Sequence, residues 1–412
     1  MEASILRRSE QSLATRRPAD RTVNWGLTAA RVGSGRVVAR SALLVLACLT
    51  CVGASESVPG LCVCAWLRPG ARGERVAFAL ERPDAPRGIL VVDTQGKVLA
   101  GTTATSESSY DYPVGWLPQA ASLAFLRFNR GAKGQVGSGS GGLLGILDVS
   151  TNRVSWVSLE SERAKDAYVT ETGGFVCSMA SDQGTGRNGD LYRVEREGQR
   201  WSWQPLAAGD ATRSWRGCLW ARATSSGFKA IAEAEREGAV TTEREIWALA
   251  EDRGRDAAAT MLWILPPGAY SAAVSPDGRR MAYLLWEEAS DTTKVYIVST
   301  EKGSTANRVV TVEGEVFCAV FAPDGARLLL YTPGLAPPVP DLRQFLSVVD
   351  LARSSVSDLL PAIVGASLAE RSVYSAEWLD SSQLVIGTQG GTLCTLDITT
   401  RTLRKLWACS EG

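Results

Sequence analysis

Two nearly identical phrases constrain this chain more than anything else in it. Ser275-Pro276-Asp277-Gly278 runs into Arg279-Arg-Met-Ala-Tyr283, and Ala322-Pro323-Asp324-Gly325 runs into Ala326-Arg-Leu-Leu-Leu330. Each phrase is a tight turn between short apolar runs. Pro presets φ at the second turn position, Asp bonds back to nearby backbone, and Gly accepts the positive φ that closes the turn. The two phrases start at 275 and 322, about 47 residues apart, which is the length of one four-stranded blade. A repeat of that period specifies a β-propeller, an all-β fold.

Weaker copies of the same grammar extend over residues 65–407. A short run ending in an aromatic comes first, as in Ala65-Trp66-Leu67, Val114-Gly-Trp116, Cys218-Leu-Trp220 and Ala376-Glu-Trp378. An alternating strand follows, then a third strand that often closes on Asp, and a fourth strand ends the unit. Seven four-stranded blades fit the span. Six remain an option if the weak third unit, read from Gly174-Phe-Val-Cys177, belongs to a neighbour. Asp93, Asp148, Asp350 and Asp397 recur at the end of the third strand. A catalytic residue would not be copied around a ring, so these read as turn caps. Asp277 and Asp324 are structural on the same reasoning.

Composition removes whole classes of function. The 412 residues carry 44 basic and 44 acidic side chains, and balanced charge argues against a nucleic-acid partner. There is no histidine. A Ser-His-Asp or Cys-His centre and a His-ligated zinc are therefore excluded for this chain.

Residues 1–54 read as a leader. Arg31, Arg36 and Arg40 precede an apolar stretch within residues 41–54 that is shorter than the ~20 residues needed to span a membrane. A cleaved signal peptide or a retained anchor is expected there, with residues 55–412 as a single propeller domain. Val45-Leu-Ala-Cys48 offers a lipobox-like alternative with Cys48 as the lipidated residue. Export would permit disulfides, and ring closure would bring Cys62 or Cys64 near Cys409. Cys48, Cys51, Cys62 and Cys64 have the look of a four-cysteine metal site. The first pair sits inside the apolar leader and the second at the first strand, so no metal is assigned. Cys177, Cys218, Cys318 and Cys394 fall in apolar strand runs and read as buried thiols.

Gly137-Ser-Gly139-Ser-Gly-Gly142 formally matches a dinucleotide fingerprint, but no βαβ context surrounds it. A flexible hairpin loop is expected instead. Loops at 82–87, 181–189, 234–242 and 332–341 are expected to rise from one face of the disc. Ser106-Glu-Ser-Ser-Tyr-Asp-Tyr112 reads as a surface connection, although a carboxylate beside Tyr could line a ligand pocket.

The Ser-Pro-Asp-Gly and Ala-Pro-Asp-Gly units resemble the TolB-type propeller repeat, also called WD40-like or PD40. The match is strongest over 269–332, and the Gly-His and Trp-Asp pairs of true WD40 repeats are lacking. The resemblance implies an exported bacterial module that binds another envelope protein, touching the membrane only through its N-terminal segment. A similar propeller caps the hydrolase domain of prolyl oligopeptidase relatives. No room for that domain is expected within these 412 residues. A non-catalytic scaffold without cofactor is the first expectation. The alternative is an enzyme or small-ligand sensor working through carboxylates in the central channel, which could hold calcium without histidine.

Overall fold

The computed structural model describes residues 63–409 apart from 71–73, 82–87, 104–108, 119–120, 130–140, 159–162, 180–188, 211, 226, 238–241, 253–257, 302–305, 334–343 and 364–372. The leader with Cys48, the Cys62 thiol and most of the Gly137–Gly142 stretch lie outside the described residues.

Seven four-stranded antiparallel sheets account for nearly all of the rest, each made of four consecutive strands. They are blade 1 (Val63–Gly101), blade 2 (Ser109–Trp156), blade 3 (Ala164–Ala207), blade 4 (Arg213–Ile264), blade 5 (Ala269–Glu313), blade 6 (Cys318–Asp358) and blade 7 (Val373–Ala408). The blade number is seven, and the weak third unit is a blade in its own right. Its first strand, Ala164–Val169, precedes the Gly174 start read from the sequence. The expected 234–242 loop also shifts, because Ala234–Glu237 is the end of a strand.

Burial orders each blade from axis to rim. First strands touch one another from blade to blade around most of the ring, so they line the axis. Fourth strands are the most open, and Arg153–Trp156 is exposed at every position. Sheet faces alternate, and each apolar face is buried against the next blade. The result is seven separate cores rather than one. Phe125 and Val91 share the core of blades 1 and 2, Phe175 and Leu126 that of blades 2 and 3, and Phe321 and Val295 that of blades 5 and 6. Ring closure follows the same plan: Phe78 and Leu67 of blade 1 pack with Leu393 and Leu406 of blade 7. No strand is traded across this seam among the described residues. A hydrogen bond from Ser375 Oγ to the Cys64 carbonyl (3.1 Å) joins the two blades. Cys64 and Cys409 are not joined to each other, so the expected disulfide to Cys64 is not formed.

The repeated turns stitch neighbouring blades. Gly278 has φ 72° and donates its N–H to the Ser275 carbonyl, and Gly325 repeats this with φ 66° onto Ala322. Asp277 Oδ1 accepts from Ser275 Oγ and Arg279 N, and Asp324 Oδ1 accepts from Ala326 N. The Arg after each turn then reaches the following blade. Arg280 donates to the Gly325 carbonyl at 2.7 Å, and Arg327 to the Ser381 carbonyl. Trp116 and Trp378, which end their inner strands, and Trp220, which lies inside its own, donate Nε1–H to carbonyls of Arg68, Val320 and Pro276 in neighbouring blades.

Candidate functional site

The inner strands are Val63–Pro69, Ser109–Trp116, Ala164–Val169, Arg213–Thr224, Ala269–Val274, Cys318–Phe321 and Val373–Trp378. Six of their seven pairings with the second strand carry a register shift, the exception being blade 6. A bulge breaks strict alternation and re-aims a side chain. Along these strands it lets polar side chains turn toward the axis while apolar ones stay in the inter-blade cores.

Four blades deliver a charged cluster there. Arg68 of blade 1 donates Nε–H to the Val114 carbonyl at 2.8 Å and Nη2–H to the Tyr112 hydroxyl at 3.2 Å, both in blade 2. Its Nη1 lies 3.9 Å from Glu377 Oε2 of blade 7. Asp166 of blade 3 is close enough for its charge to act on Arg68. Contacts from adjacent blades 7, 1, 2 and 3 can converge only at the axis. Arg68 and Glu377 remain partly exposed, at 30% and 22% of the side chain, as expected for groups that line a channel.

Electrostatics single out Asp166. Burial pushes its carboxyl up from 3.8 to about 6, helped by the Glu233 charge; the Ala167 N–H, Arg68 and Arg216 pull the other way without cancelling it. Burial raises Glu377 as well, against Arg68 and the Trp378 N–H, which bonds Glu377 Oε1 at 3.1 Å. For Arg68, burial opposes the charge, yet Tyr112, Glu377 and Asp166 outweigh it and its pKa rises. The guanidinium is therefore a fixed cation. The two carboxyls, both raised by burial, are the groups whose charge responds to pH.

Gly217 of blade 4 makes room for Asp166. A Cβ at that position would fall 2.2 Å from Asp166 Oδ2, so only glycine lets the carboxylate lie against this strand. Behind it runs a line of ion pairs. Arg216 Nη1 binds Glu235 at 2.8 Å, and Arg244 binds Glu233 at 2.6 Å and the Ala269 carbonyl. Glu245, fully buried, receives Arg213 at 2.8 Å and Trp247 Nε1–H at 2.9 Å. These pairs lie in blade 4 next to the cluster.

Of the Ser106–Tyr112 stretch, residues 109–112 belong to an inner strand rather than a surface connection. Tyr112 faces the cluster. Asp111 instead makes a bidentate pair with Arg127, at 2.6 and 2.7 Å, and is fully buried. The turn residues Ser275–Gly278 and Ala322–Gly325 lie at strand connections, apart from the cluster. Arg68, Asp166, Gly217 and Glu377 were not legible as a site in the sequence. Among the described residues no group of three or more carboxylate or thiol side chains is placed to hold a metal ion.

No family model matches this chain, and no curated protein does. Solved structures match as folds. The propeller domain of the Trilobed protease from Pyrococcus furiosus, described as having an open velcro topology, superimposes with TM-score 0.55 at 13% identity, over 86% of this chain and 98% of that domain. A prolyl endopeptidase gives 0.54 at 13%, over 84% of this chain and 50% of its own. The acylaminoacyl peptidase of Pyrococcus horikoshii gives 0.51 at 12%, over 85% and 53%. This chain thus spans about half the length of the two peptidases. These similarities show a seven-bladed propeller. The propellers matched belong to a protease and to peptidases, against the expectation of a non-catalytic scaffold, and at 12–13% identity they show the fold alone.

Proposed function

We propose that this chain is the peptide-handling propeller of a peptide-processing enzyme, with its ligand seated in the central channel. The observation that carries the reading is the convergence of Arg68, Tyr112, Asp166 and Glu377 from four inner strands, with Asp166 titrating near 6. A peptide end supplies both complements. Its ammonium pairs with Asp166 and Glu377, and its carbonyl accepts from the Arg68 N–H groups left over after Val114, Leu67 and Tyr112 are served. Asp166 supplies proton exchange at near-neutral pH, where histidine ordinarily does and where this sequence has none. A histidine-dependent hydrolytic centre would lie outside these 412 residues.

The peptidase propellers support this reading by analogy of fold. Kinship with the TolB-type repeat is supported by the Ser-Pro-Asp-Gly and Ala-Pro-Asp-Gly turns, and export by the apolar stretch in residues 41–54. Among the described residues no helix is long and apolar enough to cross a membrane. The test is equilibrium dialysis of the purified chain against a mixture of short unstructured peptides, read by mass spectrometry. Selective retention that disappears in Asp166→Asn supports the proposal. Equal retention by both proteins rejects it.

A further inference from the structure

A second site lies on the rim, away from the channel. Blades 5 and 6 leave between them an open cleft of about 280 Å³. Its walls come from the outer strand of blade 5 (Ala306–Glu313), the third and fourth strands of blade 6 (Leu346–Asp350 and Ser355–Asp358) and the short 3-10 helix Leu360–Ile363. Phe345, Val356 and Leu360 give it apolar surface.

Its floor holds an unusual group. Ser347 is only 1% exposed, and its Oγ has no hydrogen-bond partner among the described residues. Buried hydroxyls are nearly always satisfied, so one left open beneath a cleft marks a position completed by something from outside. The rim is acidic. Glu313 and Asp358 are exposed and line the cleft, and no ion pair engages either among the described residues. Asp358 Oδ1 accepts from Leu360 N at 3.0 Å, which fixes the carboxylate and leaves its other oxygen open. The nearby cations are turned elsewhere. Lys294, opposite Thr311 in the strand pairing, is tied to Glu287. Arg401 reaches Ser357, which points to the other face of the outer strand from Val356 and Asp358.

We infer that this cleft binds a small alkylammonium ion: the carboxylates of Glu313 and Asp358 hold the charge, Ser347 Oγ accepts an N–H, and Phe345 and Val356 cover the methylenes. An aromatic ring beside a cation adds to the attraction. The site is independent of the channel and of the function proposed for it.

The experiment is isothermal titration of the full chain with 1,5-diaminopentane, n-pentylamine and the neutral 1-pentanol. Both amines should bind saturably, and the alcohol should bind at least about tenfold more weakly, because it lacks the charge-assisted bonds. Ser347→Ala should weaken the amines about tenfold, the cost of one hydrogen bond, while the melting temperature of the free protein does not fall, because no bond is lost and a buried unsatisfied hydroxyl is removed. Glu313→Gln with Asp358→Asn should weaken them about fivefold to tenfold, as for exposed ion pairs. Run in an Asp166→Asn background, which removes the channel's own ammonium partner, the titration should still show saturable amine binding that Ser347→Ala weakens. Absence of saturable binding, alcohol binding as tight as amine, or amine binding unchanged in both rim variants would each overturn the inference.

Discussion

Asp166→Asn is the most informative single change. Its folded pKa of about 6 lies above the unfolded value of 3.8, so between those values the folded protein holds a proton that the unfolded chain has released. Stability attached to this group therefore falls as pH rises from about 3.8 to about 6 and stays low above that. A shift of that size corresponds to about 3 kcal/mol at ~1.36 kcal/mol per unit, and solvent in the channel reduces it to about 1–2 kcal/mol. Asn mimics the neutral carboxyl and escapes the cost. A propeller of this size has an unfolding entropy of roughly 0.7 kcal/mol/K at ~2.1 cal/mol/K per residue, so the gain is about 1.5–3 °C in Tm. Thermal unfolding followed by tryptophan fluorescence at pH 4 and pH 7.5 reads it directly. Asp166→Asn should match the parent at pH 4 and melt higher at pH 7.5. Equal effects at the two pH values, or a lower Tm at pH 7.5, would refute the account of Asp166 as a desolvated carboxyl.

Other outcomes follow from the same geometry. Gly217→Ala places a methyl on the Asp166 carboxylate and should cost about 1–3 kcal/mol by overpacking, seen as a lower Tm, together with loss of peptide binding. Ser375→Ala removes the bond to Cys64 that crosses the closing seam and should cost about 1 kcal/mol in Tm measurements. Gly387→Ala, whose Cβ would sit 2.3 Å from the Cys64 carbonyl, should cost more and raise hydrogen exchange in blades 1 and 7 before the others. Asp148, Asp277, Asp350 and Asp397 have pKa values lowered below 3.8 by turn hydrogen bonds. Their contribution is present above 3.8 and lost as pH falls below it, so acid unfolding should set in there, opposite in sign to the Asp166 effect.

The fold was far more legible than the site, for a physical reason. Turns are local: Ser275-Pro-Asp-Gly278 writes its φ requirement and its Asp bonds into four consecutive residues, and each copy announces a blade. Third-strand aspartates are equally local, with Asp148 and Asp397 bonding N–H groups two and three residues on. The channel cluster is the opposite case. Arg68, Tyr112, Asp166 and Glu377 are scattered along some 310 positions, and only ring closure brings 68 beside 377. Asp166 was hidden further because its strand, Ala164–Val169, follows residues with no turn signature, so the third unit was read as starting at Gly174. Tyr112 did leave a trace, since an aromatic next to a carboxylate marked Ser106–Tyr112 as a candidate lining. Which of its two polar residues faced the axis depended on the bulge between Pro113 and Gly115, which the sequence does not show.

The central claim is that the channel carboxylates hold a peptide ammonium, and calorimetric titration of trialanine against its N-acetylated form tests it most directly. The account predicts saturable binding of the free peptide at pH 7.5, weakening as pH falls through 6 and in Asp166→Asn, with little binding of the acetylated form. Equal binding of the two peptides, or binding indifferent to Asp166 and to pH, would contradict it.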